Sequence, residues 1–217
     1  MNQKTLLGYL GLFGAVSVGI GEFLLHYSDQ VLTTEGTFMF FGHVPISHLY
    51  YGHFFAMLGL PFYYAGYLHV YKMLRSGQKT LASIVLGLGF VAFSVGGVWI
   101  GSRGFMGSIV HLHSDIPVTT FDIIVGHYSA LMENLVQFLR VFILLLSIAF
   151  ATAILKGGTE YRKWMAFFNP ITVLLFFVAI GTIIPWIGKF TIPILMNITH
   201  IVIFSLSLYQ LKTNLKS

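Results

Sequence analysis

Of the 217 residues, 56% are hydrophobic and only 9% are charged, where a soluble domain carries roughly 25% charged residues, so the composition excludes a water-covered globule. Cysteine is absent, which excludes disulfides, thiolate zinc sites, CxxC redox chemistry and a cysteine nucleophile. The formal charge of +5 falls in short clusters between apolar stretches, a pattern of membrane topology and not of nucleic-acid binding.

Apolar stretches of roughly 20 residues, the length a spanning helix needs, lie near 5–27, 47–71, 81–101, 136–156, 165–187 and 190–211. They predict an all-α, single-domain polytopic membrane bundle over residues 1–217 with about six transmembrane helices. The first stretch follows Lys4 and has no small-residue cleavage pattern, so it reads as a retained helix and not a signal peptide. It carries Glu22 and His26, four apart and on one face. They are either a hydrogen-bonded pair locking this helix to a neighbour or a functional pair, the default reading for ionisable groups inside a membrane. The second stretch opens with SHLYYGHFF, where His48 is interfacial and His53, beside Gly52, lies deeper.

On the third stretch Gly97-x-x-x-Gly101 reads as a close helix contact inside the bundle. The stretch continues through Arg103 toward HLHSD at His111–Asp115. That run looks like a metal-binding string, but His111 and His113 would point the same way only in a strand, so a solvated loop is expected. The next apolar run extends from Phe121 to Leu155, and ~35 residues at 1.5 Å each give about 52 Å against a ~30 Å hydrocarbon core. Its first half should project outward or break. Together with 28–46, the 102–135 segment is expected to form an outer cap. Within GHYSALMENLVQFLR, His127 and Asn134 share one stripe while Glu133, Gln137 and Arg140 share the next. The sixth stretch offers Asn197 and His200, three apart on one face, with His200 near the midplane.

Nine of the twelve basic residues fall at one side if both termini are cytoplasmic: Lys4, Lys72, Arg75, Lys79, Lys156, Arg162, Lys163, Lys212 and Lys216. That topology sets Trp164 at the inner interface and Trp99 and Trp186 at the outer one. Every histidine but His69 then lies in the outer half, as do Glu22, Asp29, Glu35, Asp115, Asp122 and Glu133. Inner halves are expected to be almost pure hydrocarbon. An outward-facing intramembrane His/Glu pocket accounts for this asymmetry, because a charge in the bilayer needs partners or water. No internal repeat supports an inverted-repeat transporter.

The pocket predicts an enzyme acting on a lipid-like or small hydrophobic substrate, by one of two routes. Metal-assisted chemistry would use His53, His127 and His200 as ligands of zinc or iron, with Glu22 or Glu133 beside them; a bis-His haem is the other metal reading. Acid/base chemistry would use Glu22, His53, His127 and Glu133 as proton carriers. The alternative is a small-molecule-binding, haem-binding or transport-accessory protein in which Arg103, Asn134 and Asn197 hold the ligand. Membrane lipids are the expected partners, nucleic acid is not, and oligomers are compatible with the composition. Gly21-Glu22-Phe23-Leu24-Leu25, together with Gly66-Tyr67-Leu68-His69-Val70-Tyr71, resembles a family of uncharacterised bacterial multi-pass membrane proteins over roughly the first hundred residues. The resemblance implies a multi-helix fold in a bacterial inner membrane and no particular activity.

Overall fold

A computed structural model describes residues 2–27 and 38–215; Asp29, Glu35 and most of the expected 28–46 cap lie outside the described residues. Among the described residues the chain is all α. Its α-helices are α1 (Gln3–His26), α2 (Ile46–Leu74), α3 (Lys79–His111), α4 (Val118–Lys156), α5 (Pro170–Ile183), α6 (Pro185–Thr191) and α7 (Leu195–Asn214). Among the described residues four runs are long and apolar enough to cross a membrane: α1, α3, α4 and the Pro185–Asn214 run. This is compatible with a multi-pass membrane protein. The 29-residue α2 is made less apolar by its tyrosines and histidines, and α5 is apolar but has only 14 residues.

The closest packing is between α1 and α2, which run antiparallel. A Cβ added at Gly11 would sit 2.3 Å from the Gly66 Cα, one at Gly14 2.9 Å from the Gly59 carbonyl oxygen, and one at Gly21 2.6 Å from the Gly52 carbonyl oxygen. Gly52, Gly59 and Gly66 recur every seven residues, so one edge of α2 stays free of side chains and the two backbones meet. In lipid, where apolar surface gains little from leaving the surrounding hydrocarbon, such close approach is what holds helices together. The expected Gly97/Gly101 contact is a minor one. A Cβ at Gly97 would meet the Leu60 side chain at 2.8 Å, whereas at Gly101 its nearest neighbour is Met57 Cε at 3.7 Å.

Helix α4 is one unbroken helix of 39 residues, about 58 Å long, and α3 with 33 residues reaches about 50 Å. The expected cap at 102–135 falls on the far part of an α3–α4 helical hairpin with His113–Asp115 at its tip, and α4 runs through it without a break. At the opposite end, Gly157 and Gly158 have φ of +83° and +75°, a conformation that glycine adopts without a Cβ penalty. Their carbonyls accept from Gln78 Nε2 at 3.0 Å and Ser76 Oγ at 3.1 Å, which docks the α2–α3 turn on the segment after α4.

The expected fifth and sixth stretches, divided at 188–189, are divided differently. Pro185 pushes Ile184 out of the helical region (φ −122°, ψ 84°), and Pro193 interrupts the helix a second time. Between these breaks α6 folds against α5, with Gly188 so close to Gly181 that a Cβ would lie 2.4 Å from its carbonyl oxygen.

Candidate functional site

Asn197, His200, Phe204, Ser207 and Leu211 on α7 are all buried and follow one another at intervals of three and four, the spacing of a single helix face. That face meets α1 and α2 and carries polar groups along its whole length. At its first turn the Asn197 amide donates to a Glu22 carboxylate oxygen, and the Tyr63 hydroxyl donates to Asn197 Oδ1 at 2.5 Å. Three helices, α1, α2 and α7, thus meet in one chain of hydrogen bonds ending at a carboxylate.

Glu22 and Asn197 stand on the wall of a cavity of about 470 Å³ between α1, α2, α3, α4, α5 and the start of α7, within the ~300–1,000 Å³ typical of small-molecule sites. Val18, Leu60, Phe93, Trp99, Ile143, Leu174 and Met196 make most of the rest of the lining apolar. Arg140 of α4 is the third strongly polar residue there. The Arg103 Nε–H donates to His26 Nε2 at 2.9 Å, and its guanidinium lies 4.9–5.8 Å from the rings of Trp99, Phe41, Phe38 and Phe40, a cation–π setting.

Three buried or half-buried histidines repeat one arrangement. Nδ1–H donates to a main-chain carbonyl: His26 to Glu22 at 2.9 Å, His69 to Lys4 at 2.8 Å and His200 to Met196 at 2.7 Å. Nε2 then accepts, from Arg103, from Ser207 at 2.6 Å and from Tyr67 at 2.8 Å respectively. A carbonyl acceptor places a proton on Nδ1, and each ring ties two or more helices together. Tyr161 extends the His69 group by donating to Ser207 at 2.6 Å. Burial pushes its phenol well above the ordinary tyrosine range, so it stays a donor. Beside it Lys4 and Glu160 form an ion pair.

Several expectations are corrected by this geometry. At the end of the bundle that carries Lys4, where almost pure hydrocarbon is expected apart from His69, Ser207 and Gln210 are buried as well. His53, His127 and His200 do not converge. His200 is fully buried at α2, His53 packs edge-on against Phe105 of α3, and His127 is exposed on α4. Among the described residues no group of three or more His, Asp or Glu side chains is close enough to hold a metal ion, so the proposed zinc or iron set of His53, His127 and His200 has no common centre. Glu133 and Asn134 are exposed on α4, with Glu133 accepting from Gln137 at 2.5 Å, and neither lines the cavity. Arg103 is taken up by His26 and the aromatic rings. His111 donates to the Val44 carbonyl at 2.9 Å and His113 packs on Phe121, so the HLHSD run closes the hairpin instead of forming a free loop. Of the residues expected to be catalytic, ligand-binding or metal-holding, the cavity wall holds Glu22 and Asn197. Tyr63, Tyr67, His69 and Ser207 are not among those expected site residues; the three-and-four spacing along α7 is the signal that finds Ser207.

The model of a family of unknown function, DUF6796, matches residues 1–214. No curated protein and no solved structure matches the chain.

Proposed function

The chain belongs to that family of unknown function, and we propose that it is a six-span membrane protein, both termini cytoplasmic, that binds a lipid-like molecule in the cavity beside Glu22. The six crossings assigned are α1, α2, α3, α4, the 14-residue α5 and α7; α1, α3, α4 and the run ending in α7 are long and apolar enough to span, which supports them. The orientation is supported by the lysines and arginines collected at that Lys4 end. A bacterial inner membrane is the setting the sequence suggests.

The observation that carries the reading is the cavity's make-up: an apolar space lined from six helical segments, with Glu22 and Asn197 side by side on its wall. An acyl or isoprenoid chain suits the apolar part, and the Glu22–Asn197 pair offers an acceptor and an amide to a polar end. Gly96 gives the test. It lines the cavity and a Cβ there meets nothing within 4 Å, so Gly96→Phe fills the space without a backbone clash. Purified wild type should carry co-extracted lipid detectable by mass spectrometry. Gly96→Phe should lose it, while Gly87→Phe, also in open space but away from the cavity, should keep it. Equal lipid content in all three would refute the reading.

A second reading is catalytic, and it is favoured by Glu22 being the one carboxyl group on the wall. In it Glu22 moves a proton on the bound lipid while Asn197 and Tyr63 hold the carboxyl in place. Glu22→Gln would then retain the lipid and stop its conversion, whereas a pure binding role predicts a change in affinity alone.

A further inference from the structure

We infer that the molecule held in the cavity is a single-chain amphiphile with an anionic head group, and that Arg140 receives that head group. The inference rests on the binding reading above and adds the class of ligand. Arg140 stands sixteen residues before Lys156, about 24 Å along α4, with Phe138, Leu139, Val141 and Phe142 beside it and Glu133 and Gln137 on its own stripe of the helix. Its neighbours on the helix, Val136, Leu139 and Ile143, share the cavity wall with it. Among the described residues Arg140 has no hydrogen-bond or ion-pair partner.

Glu22 already has the Asn197 amide, while the Arg140 cation is answered by no protein group among the described residues. Its side chain is exposed at the edge of the cavity it lines, and its planar fork matches a carboxylate or a phosphate with two parallel hydrogen bonds. A chain lying in the cavity with its head group at that edge would supply the counter-charge.

Trp99 lines the same cavity and reports occupancy. With Trp164 and Trp186 replaced by Phe, mid-chain dibrominated stearic acid, stearyl phosphate and stearyl alcohol can be titrated against Trp99 fluorescence, at a pH where the acid is ionised. At least one of the two anionic probes should bind about tenfold more tightly than the alcohol, and the better of the two identifies the head group. Arg140→Gln should bring acid, phosphate and alcohol to within about twofold of each other; Arg140→Lys should keep part of the preference, and gel filtration verifies that both variants fold. Equal affinity for anionic and neutral probes in the parent protein, or a preference that survives Arg140→Gln, would overturn the assignment and leave lipid binding standing. Absence of quenching by any probe overturns the binding reading itself.

Discussion

At the residue scale, the buried histidines hold the helices in place, and their ring nitrogens are used up in doing so. His200 shows the consequence most directly. Its Nε2 depends on the Tyr67 hydroxyl, and Tyr67→Phe removes the donor while leaving the acceptor buried, a change that costs ~1–3 kcal/mol. Thermal unfolding in detergent should register that loss with lipid content unchanged. His127→Ala, by contrast, alters an exposed side chain and should leave stability within about ±0.5 kcal/mol. The sequence marks Glu22, Asn197 and His200 because polar residues stand out in apolar helices. It does not mark which of them meet, since helical spacing reports a shared face only within one helix, and His53, His127 and His200 come from three. Composition also makes His69 look like an end-of-helix residue, although Ser207, Tyr161 and the Lys4 carbonyl enclose it.

At the element scale, the glycine edge between α1 and α2 organises the bundle. Gly11→Ala would place a methyl 2.3 Å from the Gly66 Cα. Backbone atoms cannot turn aside as side chains can, so the helices must separate and surrender contacts along their length. We expect Gly11→Ala to destabilise by ~1–3 kcal/mol or more, in the range of overpacked cores. Gly87→Ala, with open space around it, should be neutral or slightly stabilising because alanine favours the helix. The heptad interval of Gly52, Gly59 and Gly66 is legible in the chain, yet the eye goes first to Gly97-x-x-x-Gly101, and only the partner helix decides which glycines are needed. Helix positions were readable from hydropathy for α1 to α4. They were less so for the last third, where every residue from 170 to 194 is uncharged apart from Lys189 and the breaks are set by Pro185 and Pro193 and not by polarity.

At the scale of the whole molecule, the basic residues and the cavity give the bundle two distinct ends. The native chain has no cysteine, so single cysteines can be introduced as topology probes. One at Gln78 should resist an impermeant reagent added to intact cells and one at Ser114 should react; the reverse pattern would invert the orientation. The space bounded by Phe93, Trp99, Ile143, Leu174 and Met196 is the proposed lipid-binding cavity, with Glu22 and Asn197 at its polar end. Electron cryo-microscopy of the protein in lipid nanodiscs tests this most directly. It should reveal an elongated density filling that space, with its polar end between Arg140 and the Glu22–Asn197 pair. A cavity closed by inward movement of α4 and α5, with those side chains packed on one another and no room for a chain, would contradict it.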